Sequence, residues 1–350
     1  MRGGAISCQG EFLSMLQLRN DTPFETDRAI LLDKGGNHIW VVVVKATYTL
    51  HPDGHLELAK EQEPVCKSPE YRGVPENSSL RRECEVVVDH PGTDIIVNGQ
   101  AYAPAGRAVR ELDVGIRVGS LRKNLKVFGD RYWERGLSGV RSTPPSLFRT
   151  IPLIYERAYG GYAPGNEEPR PFESRNPVGR GFTNVPPEDG HALPNVEYPQ
   201  QCISTWKDRP PPAGFGAIAS WWSPRQQYAG TYDQAWQERR MPLWPEDLDP
   251  RHFLSVPEDQ VSPFRLSLTE QVELRNLTPG SLLTFRLPPV YVVVDTDIGG
   301  DRYRQQVRLE RVIIEPDEHK LVLVWRSWLD CGRNARCVRK SIVWTKKVVQ

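Results

Sequence analysis

Residues 39–50 read Ile39-Trp-Val-Val-Val-Val-Lys-Ala-Thr-Tyr-Thr-Leu50. The run is β-branched and aromatic, which suits a pleated backbone. Its first half is apolar on both faces, whereas a half-exposed strand alternates, so the pattern predicts a strand covered on both sides. His51-Pro52-Asp53-Gly54 ends it in a turn, because proline presets one dihedral and glycine accepts positive φ. Thr93 to Gly99 predicts a second, shorter apolar strand. Ala108 to Val118 alternates, with Ala108, Leu112, Val114, Ile116 and Val118 on one face. Gly119-Ser120 then turns the chain into Leu121 to Trp133, and the two runs predict an antiparallel hairpin. Leu282 to Leu287, Val290 to Asp295, Gln305 to Ile314 and Lys320 to Trp328 repeat the strand texture. Turn residues separate them (Pro288-Pro289, Ile298-Gly299-Gly300-Asp301 and Glu315-Pro316-Asp317-Glu318), and a β-meander is expected.

Between these ends the texture changes. About twenty of the 31 prolines fall between Ser142 and Pro263, a density that regular structure does not tolerate. One short helix is expected, from Tyr232 to about Arg240, with Thr231 as N-cap and Pro242 as its stop. The aromatic content, Trp206, Trp221, Trp222, Trp236 and Trp244 among it, requires burial, so the middle reads as long ordered loops pinned by aromatic anchors. The fold class is mainly β, with antiparallel, sandwich-like sheets at both ends and few short helices. The expected division is an N-terminal β region over 1–141, a Pro/Gly/aromatic-rich loop region over 142–265 and a C-terminal β-meander over 266–350.

Forty-five basic residues face 44 acidic ones in 350, a formal charge of +1. That balance argues against a protein whose main work is neutralising phosphate, and no nucleic-acid partner is expected. The densest apolar run, Ile39 to Val44, is far shorter than the roughly 20 residues of a membrane helix. Gly10 and Glu11 interrupt any signal core near the N-terminus. Cys8 lacks the preceding apolar stretch of a lipidated cysteine, and the other five cysteines (66, 84, 202, 331 and 337) have no zinc-like spacing. They read as free thiols in a reducing, cytoplasmic setting, with no membrane insertion.

The search for chemistry is sparse. His51 and His55 flank a turn without a third metal ligand. His191 sits in Glu188-Asp189-Gly190-His191, in a proline-flanked loop. No serine occupies a nucleophile elbow, with Ser204, Ser220 and Ser223 in the wrong surroundings, and a Cys202–His191 pair has no local signature. Ala158-Tyr159-Gly160-Gly161, Gly179-Arg180-Gly181 and Gly214-Phe215-Gly216 lack the strand–helix frame of a phosphate cradle and read as turns. Glu167-Glu168 and Glu188-Asp189 are carboxylate pairs of the kind glycoside hydrolysis uses, at separations sequence does not give. Arg122, Lys123, Lys126 and Arg131 mix with Phe128, Tyr132 and Trp133. That mixture suits either a nucleic-acid groove or the wet face of an amphipathic hairpin, and the hairpin is preferred. Arg333, Arg336, Arg339, Lys340, Lys346 and Lys347 form a basic end that Glu310, Glu315, Asp317 and Glu318 offset. No catalytic, cofactor-binding or metal-ligating residue is assigned.

Several phrases in order are more specific. They include Leu16-Gln-Leu-Arg-Asn-Asp-Thr-Pro-Phe24, Trp40-Val-Val-Val-Val-Lys-Ala-Thr47, Val127-Phe-Gly-Asp130 and Pro152-Leu-Ile-Tyr-Glu-Arg-Ala-Tyr-Gly-Gly161. Arg175-Asn-Pro-Val-Gly-Arg-Gly-Phe182, Pro212-Ala-Gly-Phe-Gly216 and Ala229-Gly-Thr-Tyr-Asp233 continue the series. From about Leu16 to Leu287 the chain resembles a bacterial family of unknown-function domains encoded beside the spike proteins of type VI secretion systems. The resemblance implies an adaptor or chaperone that binds a toxic effector and helps load it onto the spike, without catalysis. Arg175, Asn176, Arg180, Phe182, Asp208, Arg209 and Phe215 are then the candidates for a partner-facing surface, since Trp, Tyr and Arg anchor interfaces. The other use of Arg175 and Arg180 is to hold loop carbonyls. Two alternatives remain: a carbohydrate-active or other hydrolase with its site in the loop-rich middle, and a structural component of a contractile injection machine.

Overall fold

The computed structural model describes residues 16–137, 139–165, 168–262, 266, 269–333 and 335–346. Cys8, Glu167 and Lys347 lie outside the described residues. The longer strands before the loop-rich middle are β1 (Glu25–Leu32), β2 (His38–Leu50), β3 (Thr93–Val97), β4 (Glu111–Val118) and β5 (Leu121–Phe128). After it come β6 (Gln271–Arg275), β7 (Leu282–Arg286), β8 (Tyr291–Ile298) and β9 (Asp301–Gln305). β10 (Val307–Glu315), β11 (Lys320–Asp330) and β12 (Val338–Lys346) complete them. The fold is mainly β, and the α-helices among the described residues are short: α1 (Ser223–Gln226) and α2 (Gln234–Arg239).

The central sheet runs Val261–Ser262, β3, β10, β11, β2, β1, with Leu56–Leu58 also on β2. β2 pairs antiparallel with β11 from Lys320 opposite Thr49 to Asp330 opposite Ile39, so strands from the two ends of the sequence share one sheet. Trp40, Val42, Val44, Ala46 and Leu50 pack on one side into the main core, with Val114, Ile116, Leu125, Val294 and Leu323. Ile39, Val41 and Val43 pack on the other side with Val65, Leu80, Ala217 and Val256. The all-apolar run thus has its physical cause: one face meets two further sheets, and the other meets the loop segments.

One of those sheets runs Val196–Glu197, β5, β4, β6, β7, and the other runs Gln17–Asn20, β12, β8, β9. β4 and β5 form the expected hairpin, Val118 opposite Leu121, with Gly119 at positive φ in the two-residue turn. The strands of the last third form where expected but are not a meander. β7 joins the β4–β6 sheet, β8 and β9 join β12, and only β10 and β11 are neighbours in the central sheet. Pro288-Pro289 is the cause at the first break: neither residue has an N–H for a ladder, so the chain leaves one sheet and enters another. The helix begins two residues later than expected and is capped by Asp233, whose carboxylate accepts from Trp236 N at 2.8 Å. Thr231 instead donates its hydroxyl to Asp247 at 2.7 Å.

Against the second face of the central sheet lie charges the sequence gives no reason to bury. Lys45 and Glu85 pair at 2.9 Å with both side chains about 1% exposed. Glu310 is the extra residue of a β-bulge, since Leu309 faces Trp325 and Arg311 faces Val324. Arg326 holds it with two bonds of 2.7 and 2.8 Å. Asp94, fully buried, accepts from Ser255 N at 2.7 Å and Ser255 Oγ at 2.6 Å, with His90 Nε2 at 3.2 Å. Burial alone pushes its carboxyl up. His90, Arg311 and Ser255 outweigh that and hold it below the usual carboxylate range.

Candidate partner-binding surface

Two glycine-rich phrases far apart in sequence meet here. Tyr159–Gly160 pairs in parallel with Arg180–Gly181. The backbones touch so closely that a Cβ on Gly160 would stand 2.1 Å from Asn176 O, and one on Gly161 2.3 Å from Gly179 O. Gly161 and Gly181 also have φ of +85° and +91°, so both backbone conformation and space require glycine. Asn176, fully buried, staples this junction by donating Nδ2 to Tyr155 O at 2.8 Å and Tyr159 O at 3.0 Å.

The remaining candidates close around it. Arg175 grips Glu173 through two bonds of 2.8 and 2.6 Å and reaches Pro210 O at 3.2 Å. Burial pushes the Glu173 carboxyl up, but hydrogen bonds and charge from Arg175 overcome it and leave the group below its ordinary range. Arg180 donates Nε to Glu156 O at 3.0 Å. Arg209 donates to Thr183 O and to Trp206 O, and its guanidinium lies 5.5 Å from the Phe182 ring centroid. Asp208 accepts from Ser204 and Thr205 through both backbone N–H groups and both hydroxyls, at 2.8 to 3.1 Å.

Six candidates therefore form one connected cluster, and Phe215 does not join it. Phe215 is fully buried in the main core, and its carbonyl accepts from Val97 N. Asn176 belongs to the cluster's foundation and faces no solvent. Arg175 and Arg180 hold loop carbonyls, as their other use required. The cluster rests on Trp133, Tyr159, Leu193 and Ile203, with Phe182 and Trp206 packed against them.

Arg209 is exposed, but the other side chains that present most area to solvent are ones the sequence analysis did not name as partner-facing. Tyr162 and Phe172 bridge across an antiparallel contact with ring centroids 5.2 Å apart, each nearly half exposed. Arg170 lies 5.5 Å from the Tyr162 centroid and donates Nε to Ala163 O at 2.7 Å. Tyr132 and Val185 are also exposed. The alternation of aromatic and arginine through Tyr162–Arg175 was the available signal, read only as loop texture.

The reactive groups considered from sequence are dispersed. Cys202 Sγ lies 3.5 Å from Tyr198 O, and burial pushes its thiol up, away from the thiolate a nucleophile needs. His191 is half-buried, and burial lowers its pKa. Asp189 accepts from Arg135 N at 2.6 Å. Within the basic–aromatic hairpin, Lys123 pairs with Asp259, Lys126 lies 3.4 Å from Glu111, and Arg131 is buried against Glu197 and stacked 3.9 Å from the Phe128 centroid. No group of three or more His, Cys, Asp or Glu among the described residues is placed to hold a metal ion. No helix among them is long and apolar enough to cross a membrane.

A family model described as "uncharacterized protein conserved in bacteria" matches residues 35–326. The match begins after the Leu16–Phe24 phrase and after β1, and runs beyond Leu287 through β8, β9 and β10 into β11, so it takes in β2, β3, β10 and part of β11 of the central sheet. No curated protein and no solved structure matches the chain.

Proposed function

The chain belongs to the DUF2169 family of uncharacterized bacterial proteins, and from that membership and the surface just described we propose that it is a non-catalytic, cytoplasmic adaptor of type VI secretion. In this reading it binds a toxic effector and helps load it onto the secretion spike. The observation that carries it is the Tyr162–Phe172–Arg170 face on its foundation of Asn176, Arg175 and Arg209. Aromatic and arginine side chains supply most binding energy at interfaces. Holding them in place before the partner arrives removes part of the ordering cost of association. The association with secretion rests on the ordered sequence phrases, which resemble those of effector-loading adaptors.

The test is co-expression with the products of the neighbouring genes, followed by affinity purification and size exclusion. Stable co-elution with an effector is expected. A Tyr162→Ala/Phe172→Ala variant should weaken that complex by about 2 kcal/mol or more, roughly 30-fold. A clean monomer in the presence of every neighbouring product would overturn the proposal.

A further inference from the structure

β9 ends its sheet: it pairs with β8 and with no other strand among the described residues. Ile298 opposite Asp301 closes a two-residue turn, and a pair in that position exchanges both of its backbone hydrogen bonds. Along the ladder such bonded pairs alternate with open ones. Thr296–Tyr303 is the next bonded pair, while Asp297–Arg302 and Asp295–Arg304 are open. The backbone N–H and C=O groups of Arg302 and Arg304 therefore point outward, and among the described residues nothing bonds to them.

The side chains of these two residues share one face of the sheet. It is the face turned away from the main core, into which β8 sends Val292 and Val294. Asp295 lies beneath them at 3% exposure and accepts from Arg302 Nη2 at 2.7 Å, Arg304 Nε at 3.0 Å and Trp344 Nε1 at 2.9 Å. Both arginine side chains still leave 66% of their area in solvent. One buried carboxylate thus positions two guanidinium groups and neutralises one charge. Lys340, opposite Asp297 in β12, stands on the same face with no ion pair among the described residues. Asp297 turns its Oδ1 to Gly300 N at 2.8 Å. Solvent meets the cations, and the carboxylates lie under them or in the turn. An edge charged only to repel other strands has no use for a buried counter-ion, whereas a binding edge gains from arginines held in place before the partner arrives.

We propose that an extended acidic segment of a protein partner adds antiparallel to the edge of β9, with carboxylates at two alternate positions on Arg302 and Arg304. The occupant follows from the backbone and the side chains together. In a bonded register, the residues opposite Arg302 and Arg304 exchange hydrogen bonds with them and turn their side chains to the same face. An acid at each position then meets a guanidinium with N–H donors to spare. A nucleic-acid strand supplies anions but no backbone N–H for the two outward carbonyls. The inference goes beyond the adaptor reading and shares no residue with its surface.

The probe is a fluorescein-labelled octapeptide of Val and Thr with Glu at its fourth and sixth positions, followed by anisotropy against the full chain. Saturable binding is expected, weakened at least about tenfold when both Glu are replaced by Gln, a change that leaves the protein untouched. The R302Q/R304Q variant keeps donors for Asp295, so its melting temperature should stay near that of wild type while its affinity falls at least about tenfold. Backbone N-methylation separates register from charge alone. At the two Glu residues it should abolish binding, and at the residue between them, whose N–H faces away from β9, it should leave affinity unchanged. An oligothymidylate of equal charge should not displace the probe. No binding at about 1 mM, undiminished binding to a folded R302Q/R304Q protein, equal losses from the two N-methylation patterns, or displacement by the oligothymidylate would each overturn the inference.

Discussion

Arg326→Met isolates the energetics of the charged face of the central sheet. Arg326 and Glu310 are about 1% and 4% exposed, and two charge-assisted bonds of 2.7 and 2.8 Å join them. A third bond runs from Arg326 Nη1 to Val88 O at 3.3 Å. Methionine preserves much of the stem volume but leaves a carboxylate buried in a β-bulge with no counter-charge. Removing one member of such a pair costs about 3–5 kcal/mol, because the remaining ion keeps its desolvation penalty. With an unfolding entropy near 2.1 cal/mol/K per residue, a chain of this length converts that cost to a fall of roughly 4–7 °C in melting temperature. The double variant R326M/E310M removes both charges together and should recover at least about 2 kcal/mol of the loss, since well-packed apolar replacements of buried pairs are often neutral. Urea unfolding followed by tryptophan fluorescence measures all three proteins. The reasoning fails if R326M costs less than about 1 kcal/mol, or if the double variant is no more stable than the single one.

Two further predictions follow from named contacts. Lys123 is buried beside Asp259 at 2.9 Å and Gln260 at 2.6 Å, and burial pulls its pKa down to about 8 despite the Asp259 charge. An unfolded lysine titrates near 10.4, so between about pH 8 and that value the unfolded chain binds more protons and stability rises with pH. The stability of wild type relative to K123M should therefore climb from pH 8 to about pH 10 in urea titrations; a flat difference refutes the assignment. In the Gly214-Phe215-Gly216 phrase, a Cβ on Gly214 would stand 2.9 Å from the buried Tyr155 ring, whereas one on Gly216 has no atom nearer than 3.9 Å. G214A should lower stability by about 1–3 kcal/mol and G216A should leave it within about 1 kcal/mol; equal melting temperatures for the two would contradict the packing argument.

Local periodicity carried the strands. The doubly apolar run at 39–44, the two-residue turn at Gly119-Ser120 and the turn at Ile298–Asp301 are all short-range signals, and each forms as read. Pairing across the sequence is another matter. Nothing in Lys320–Asp330 names His38–Leu50 as its neighbour, and a proline pair that looks like a turn in a meander proves to be a passage between sheets. Thr231 and Asp233 are both good caps, and only the position of Asp247 decides which one is free for the helix. The site residues divide on the same principle. Arg175, Arg180 and Arg209 were visible as arginines in glycine- or proline-rich loops, but Phe215 is buried in the main core beside Val97, whose N–H its carbonyl accepts, a contact between distant segments.

The proline content of the middle region and the arginines that contact it are one design. Each proline deletes a backbone donor and keeps its acceptor, so a proline-dense segment has more carbonyls than N–H groups and cannot satisfy itself. Arginine corrects the imbalance with up to five donors in a fixed plane. The chain uses it repeatedly in this way: Arg131 donates to Pro194 O, Arg135 to Pro187 O, Arg175 to Pro210 O, and Arg110 to Pro145 O. Beyond prolines, Arg180 serves Glu156 O and Arg225 serves His252 O. Each such bond ties a loop to a distant loop, so the backbone is ordered without a ladder. Each also fixes a flat cation, over Phe182 in the case of Arg209 and over Tyr162 in that of Arg170. Rigidity of the loops and the aromatic–cationic character of their outer face are thus linked through arginine; lysine also ties loops, as Lys34 does through Glu246 O and Leu248 O, but it brings no flat cation.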